Sequence, residues 1–395
     1  MPERLRDLLV PLVLLLSWGL AAAVHAAPTA TPTAEIATKA RQVILVEAAT
    51  GAILFQKHAE ERTPPASMTK LMTLTLLFQA LDAGKLKGED EVVMSVNAWR
   101  RGGAPSGTSA MFVPVNTKVR IDELIQGIIV QSGNDAAIAV AETLAGTETK
   151  FAIAMNEEAK RIGLTHSNFM NPTGLHHPEH LSTVRDLATL ARHLINVHAK
   201  YYPLFAQREF NYRKHKFTNR NPLLALSIGV DGMKTGQLKE SGFGLVASAV
   251  QEGRRLILVV NGCESAQERS GEAQRLLEWG FKTFTEARIF NPGETVAEAR
   301  VYGGTQLYVP LVGANGVNVL LPKSLQNPKL KAEVMYKRPL KAPVRKGDEV
   351  ARLRVTGTTS SVNEVPLYAA EDVERGPMWR RGLDSLAHLA LGWMR

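Results

Sequence analysis

The placement of strands along the chain constrains its fold more than any other feature. Two apolar runs, Val43-Ile44-Leu45-Val46 and Ile53-Leu54-Phe55, flank Ala48-Ala49-Thr50-Gly51, a hairpin signature. Helical periodicity then dominates from Ser67 to His198, in segments Met68 to Leu81, Ile121 to Val130, Ala136 to Leu144, Phe151 to Ile162 and Arg185 to Val197. Gly84, Gly146 and Gly163 act as stop signals, and Thr183 with Asp186 has capping-box spacing. After a basic, aromatic stretch from Tyr201 to Arg220, strands return at Val230 to Lys234, Phe243 to Val250 and Arg255 to Val260. Strands at both ends of a helical middle predict an α/β (α+β) unit, with one sheet that holds both chain ends and helices packed around it.

Beyond Phe284 the texture changes to short alternating runs: Val296 to Tyr302, Gln306 to Val312, Val317 to Leu321, Leu330 to Tyr336, Glu349 to Val355 and Val362 to Tyr368. They predict a small all-β, sandwich-like domain over 286–375. In the last twenty residues, Trp379, Leu383, Leu386, Ala390, Trp393 and Met394 fall within about 120° of helical arc, opposite Arg381, Asp384, His388 and Arg395. Two tryptophans on that face favour an amphipathic membrane-anchoring helix over 376–395, against the plainer reading of a surface helix packed on its own domain. At the other end, a charged head and an apolar run from Leu8 to Val24 precede Val24-His25-Ala26-Ala27. This is the pattern of a secretory signal over 1–26, with a linker over 27–40, so the protein is expected to work outside the cytoplasm. The sheet and its helices then occupy 41–285.

Composition enters at two points. A single cysteine, Cys263, excludes an internal disulfide and a multi-cysteine zinc site. The net charge of +9 suits an anionic neighbour without specifying it.

Three short motifs carry the chemistry. Ser67-Met68-Thr69-Lys70 follows Pro64-Pro65 and opens a strongly apolar helix. Three residues apart on a helix, Ser67 and Lys70 share a face, so the amine can reach the hydroxyl. A serine hydroxyl needs a base to take its proton, and lysine is one only when burial or a nearby cation lowers its pKa. Ser132-Gly133-Asn134 lies between two helical segments and offers a hydroxyl and an amide. Lys234-Thr235-Gly236 ends a strand, placing a cation, a hydroxyl and a residue without side chain on a sheet edge. Each triplet alone is near noise; in this order, with 65 and then 102 residues between first members, they form a strong signal.

In these motifs the chain resembles the low-molecular-mass penicillin-binding proteins, the serine-type D-alanyl-D-alanine carboxypeptidases. The resemblance runs from the leader through Gln131-Ser132-Gly133-Asn134-Asp135-Ala136 and Asp231-Gly232-Met233-Lys234-Thr235-Gly236. It continues through Leu276-Leu277-Glu278-Trp279-Gly280-Phe281, the β-rich domain and the terminal helix. It implies a DD-peptidase/β-lactamase-like catalytic domain acting on peptidoglycan stem peptides in the periplasm, peripheral on the inner membrane. β-Lactam antibiotics would be acylating inhibitors, and neither a cofactor nor a metal is implied. By resemblance, Ser67 attacks the carbonyl between two D-alanines and Lys70 accepts its proton. Ser132 and Asn134 relay protons and hold the substrate amide. Lys234 keeps Lys70 disfavoured as a cation and, with Thr235, binds the acidic end of the substrate. The N–H groups of Ser67 and Gln237 form the oxyanion hole. Arg269, ten residues before Trp279, matches the family's arginine for the terminal carboxylate, and Arg220 resembles a position near the cleft. One departure stands out: Gln237 follows Lys234-Thr235-Gly236 where many members have histidine.

Other features read more blandly. His176, His177 and His180 lack a carboxylate pattern for a metal and fall in a loop resembling a cleft edge. Arg213-Lys214-His215-Lys216 reads as a solvated face, or as attraction to an anionic wall polymer. Arg101-Gly102-Gly103 through Ser109 reads as a flexible loop, a candidate lid. Alternatives for the whole are a DD-endopeptidase or a β-lactamase on the same scaffold, or a non-catalytic wall binder or β-lactam sensor. No Glu-x-x-Leu-Asn run of class A β-lactamases lies between Asn134 and Lys234, and the five motif side chains Ser67, Lys70, Ser132, Asn134 and Lys234 are all intact. Nucleic acid is not an expected partner.

Overall fold

The computed structural model describes residues 36–323, 330–356 and 362–379. The proposed leader, the start of the linker and the terminal helix beyond Trp379 lie outside the described residues.

Strands β1 (Gln42–Glu47) and β2 (Ile53–Lys57) form the expected hairpin. They join β7 (Val230–Leu238), β8 (Gly242–Gln251) and β9 (Arg254–Cys263) in an antiparallel sheet of order β2-β1-β9-β8-β7. The near-continuous apolar runs of β1 and β9 reflect burial on both faces. Ile44, Val46, Ile257 and Val259 enter one core, while Val43, Leu45, Leu256, Leu258 and Val260 enter the other.

The first core holds α1 (Lys70–Asp82), of which nine residues are buried, so its sequence is apolar nearly all round. A 3-10 turn, Ala66–Thr69, precedes it, so Ser67 sits on this tighter turn rather than inside the helix. Around α1 pack α2 (Val96–Gly102), α3 (Ile121–Gln126), α4 (Asn134–Ala145), α5 (Glu148–Ile162) and α6 (Val184–Val197). Ser95, Thr147 and Thr183 cap α2, α5 and α6 by accepting from N–H groups three residues on. A small β3–β4 ladder (Glu91–Val93 with Lys118–Arg120) and a β5–β6 hairpin (Glu209–Tyr212 with His215–Thr218) flank this face. The second core is closed by α7 (Ala266–Thr283), capped by Ser265.

Two stretches differ from their sequence reading. Arg101 and Gly102 end α2 rather than belonging to a loop, and a Cβ on Gly102 would lie 2.4 Å from the Asp135 backbone nitrogen. The basic, aromatic stretch contains the β5–β6 hairpin, whose inward side alternates Phe210, Tyr212 and Phe217.

The β-rich part begins with β10 (Phe284–Phe290), paired to β13 (Val317–Pro322). Strands β11 (Thr295–Tyr302), β12 (Tyr308–Val312), β14 (Lys331–Met335), β15 (Leu340–Lys341), β16 (Glu349–Thr356) and β17 (Val362–Ala369) form a second sheet around their own core. At the junction, Arg254 donates to the carbonyls of Phe281 and Phe284, each at 2.8 Å. No helix among the described residues is long and apolar enough to cross a membrane.

Candidate active site

The three motifs converge where the 3-10 turn meets β7 and the start of α4. Lys70 is fully buried, and its Nζ lies 3.0 Å from Ser67 Oγ, 2.7 Å from Asn134 Oδ1 and 2.7 Å from the Thr173 carbonyl oxygen. Burial, reinforced by the positive charges of Lys234 and Arg220, holds its pKa well below the usual lysine value, with Asp135 acting the other way. The environment therefore favours the neutral amine, the form that can accept a proton.

Ser132 ends a π-helical turn, Gly127–Gln131, with φ at +62°. Its hydroxyl is buried and has no hydrogen-bond partner among the described residues. A buried hydroxyl left unsatisfied is costly, and one at a cleft is available to a ligand. Asn134 spans the site: its Oδ1 meets Lys70, while its Nδ2 donates to Thr108 Oγ1 at 2.8 Å.

On β7, Lys234 is 2% exposed and its Nζ donates to the Thr235 carbonyl at 3.1 Å. Burial, with Arg220 and Arg269 adding repulsion, brings its pKa down to about 7. Thr235 is buried beside it, and Gln237 is exposed toward the end of the strand. Gly236 permits close packing: a Cβ there would lie 3.0 Å from the Pro65 carbonyl oxygen and 3.1 Å from Met68 Cγ. Arg269, in the first turn of α7, lies over the Phe243 ring, and its buried Nε has no hydrogen-bond partner among the described residues. Arg220 Nη1 donates to Ser109 Oγ at 2.7 Å. Four basic side chains thus act on one another electrostatically here, Lys234 feeling both arginines. Such a cluster suits an anionic ligand.

The structure adds residues that motif reading left out. Residues 171–175 wrap the Ser67 turn, as Asn171 Oδ1 accepts from Thr173 N–H and Gly174 N–H in an Asx turn. This turn aims the Thr173 carbonyl at Lys70. His180 accepts from Met170 N–H at Nδ1 (3.3 Å), so its Nε2–H donates to Thr69 Oγ1 at 2.9 Å. Burial, with His177 and Lys70 adding positive charge, depresses its pKa to about 4, so it stays neutral near pH 7. Asp135 is buried and accepts from the N–H groups of Met111, Val113 and Ala136. The position of Asp135 next to Asn134, and the resemblance of the loop holding His176, His177 and His180 to a cleft edge, were the sequence cues to these supports.

Comparison with known proteins matches this arrangement to one family. Residues 27–265 match the family model described as D-alanyl-D-alanine carboxypeptidase. The chain belongs to this family. Residues 284–375 match the model described as penicillin-binding protein 5, C-terminal domain. Among relatives of this D-alanyl-D-alanine carboxypeptidase family, DacC of Escherichia coli is 38% identical over 87% of this chain and 87% of its own length. DacF of Bacillus subtilis is 34% identical over 87% of this chain and 88% of its own. Penicillin binding protein 5 from Haemophilus influenzae has a similar crystal structure, with a TM-score of 0.74, 34% identity and coverage of 88% of this chain and 100% of that one.

Proposed function

We propose that the protein is a serine-type D-alanyl-D-alanine carboxypeptidase that removes the terminal D-alanine of peptidoglycan pentapeptides. The observation that carries the reading is the buried Lys70 amine 3.0 Å from the Ser67 hydroxyl, in a chain of this family. Ser67 Oγ attacks the carbonyl between the two D-alanines while Lys70 Nζ takes its proton. Backbone N–H groups of Ser67 and Gln237 stabilise the oxyanion. The unpartnered Ser132 hydroxyl passes a proton to the leaving D-alanine amine, and water then hydrolyses the acyl-enzyme. Asn134 orients the substrate amide. Lys234, Thr235 and Arg269 receive the terminal carboxylate, and Gly236 lets the strand pack closely on the Ser67 turn. With Gln237 in place of histidine the backbone N–H is kept, so acylation persists.

β-Lactams acylate the same hydroxyl. The leader over 1–26 directs the chain to the periplasm, and the helix over 376–395 holds it on the outer face of the inner membrane.

Purified mature protein, incubated with a fluorescent penicillin, should carry the label on Ser67 by mass spectrometry and release D-alanine from a pentapeptide. Undiminished labelling of Ser67→Ala would sink the reading. Rapid penicillin turnover without D-alanine release would make the protein a β-lactamase. Truncation before Pro377 should free it from membranes.

A further inference from the structure

Residues 108–113 connect the candidate site to an aromatic stack. At one end, Thr108 Oγ1 accepts from Asn134 Nδ2 and the Ser109 carbonyl accepts from Asn134 N–H at 2.7 Å. At the other, Met111 and Val113 N–H groups, with Phe112 N–H adding to the field, converge on the buried Asp135 carboxylate. Turning successive N–H groups toward one carboxylate takes the backbone into the left-handed region at Phe112, φ +63°. Glycine or asparagine adopts that conformation at lower cost than a bulky residue. The chain carries phenylalanine instead, and Phe112 is 37% exposed.

The ring leans on His215, centroids 5.1 Å apart and planes at 31°, and lies 6.3 Å from Phe217. Both residues belong to β6, which leads directly to Arg220, the residue that donates to Ser109. The stack and the site therefore share both supporting segments. Arg213 and Lys214 are exposed at the turn of the β5–β6 hairpin, while Lys216 is paired with Glu209.

We propose that the exposed Phe112, backed by His215, is a subsite for the glycan-bearing end of the substrate, a sugar ring stacking on it. This rests on the carboxypeptidase reading. Held at Ser67 by its last two residues, a pentapeptide has three more that span about 10 Å, which brings its sugar-bearing end toward the rim of the site. Sugar C–H bonds carry a slight positive charge that suits the negative face of an aromatic ring. An ammonium on the stem peptide meets repulsion from Arg213, Lys214 and Arg220, whereas a neutral ring and acidic stem groups do not.

The test measures kcat/KM for D-alanine release from a disaccharide-pentapeptide and from a short acyl-D-alanyl-D-alanine tripeptide. Phe112→Asn keeps a residue suited to the left-handed backbone, and Phe112→Trp keeps an aromatic face. The ratio of long to short substrate should fall about threefold to tenfold in Phe112→Asn and be retained in Phe112→Trp. An unaltered ratio in Phe112→Asn, or an equal loss in Phe112→Trp, overturns the subsite while leaving the carboxypeptidase reading intact. No D-alanine release from either substrate by the unsubstituted protein overturns both.

Discussion

Lys70 Nζ stands 3.0 Å from Ser67 Oγ, and its other hydrogen-bond partners are an amide oxygen of Asn134 and the carbonyl of Thr173. Among the described residues no carboxylate pairs with it at ion-pair distance, and two neighbouring cations, Lys234 and Arg220, oppose its charge. A lysine so placed is held ready to accept a proton rather than to neutralise an acid. Lys70→Arg keeps a cation that cannot give up its proton. Acylation by penicillin should slow by about 10²–10⁴-fold in that variant, read by stopped-flow labelling.

Lys234 brings a pH dependence of opposite sign for binding and for stability. Its pKa is about 7 in the folded protein against an ordinary 10.5. Between these values the unfolded chain holds the proton and the folded chain does not, so stability rises as pH climbs from about 7 toward 10.5. In the proposed role of Lys234 the substrate carboxylate needs the cation, so KM should increase over the same range. Urea midpoints at pH 7 and 9 should show a smaller rise in Lys234→Met, together with weak substrate binding at both values.

His180 gives the acidic counterpart. Its pKa of about 4 lies below the ordinary 6.5, so the folded form resists protonation and stability falls as pH drops from 6.5 to 4. The full loss is on the order of 3 kcal/mol by the shift. A His180→Phe variant, lacking the titrating ring, should flatten the urea midpoint between pH 6.5 and 4.5. An unchanged slope would place the acid sensitivity elsewhere.

Gly174 allows the loop to touch the nucleophile turn. Its φ is +80°, and a Cβ there would lie 1.8 Å from the Ala66 carbonyl oxygen. Gly174→Ala must displace either the loop or the turn, at a cost of at least about 2 kcal/mol in stability. Because Thr173 moves with it, penicillin labelling should slow as well. Thermal unfolding and labelling rate measured on one preparation check both.

Asp135 is a support rather than a reacting group. Burial raises its pKa, and the N–H groups it accepts from hold it down. Asp135→Asn presents an NH2 toward donors and should lose about 2–3 kcal/mol of stability. A variant as stable as the parent in urea would show that the loop is held by other contacts.

Much of the fold was legible because the relevant signals are local. The continuous apolar runs of β1 and β9, the Thr183 cap and the glycine stops are all set within a few residues. The β5–β6 hairpin escaped because its charged tip, Arg213-Lys214, masks the alternation of Phe210, Tyr212 and Phe217. Strand β10 escaped because it follows α7 without a break, Phe284 being both the end cap of the helix and the first strand residue.

The sequence by itself determined the order of the three motifs, the residue types at Ser67, Lys70, Ser132, Asn134 and Lys234, and the helix–strand alternation that makes their meeting possible. Their chemistry follows from residue type and from short-range geometry, which a helix turn or a strand edge fixes. Only the tertiary structure decided the environment of Lys70: full burial, the Thr173 carbonyl 103 residues away in sequence, and the charges of Lys234 and Arg220 around it. A pKa depends on solvent exclusion and on charges close in space, and neither is written in the spacing of residues along a chain.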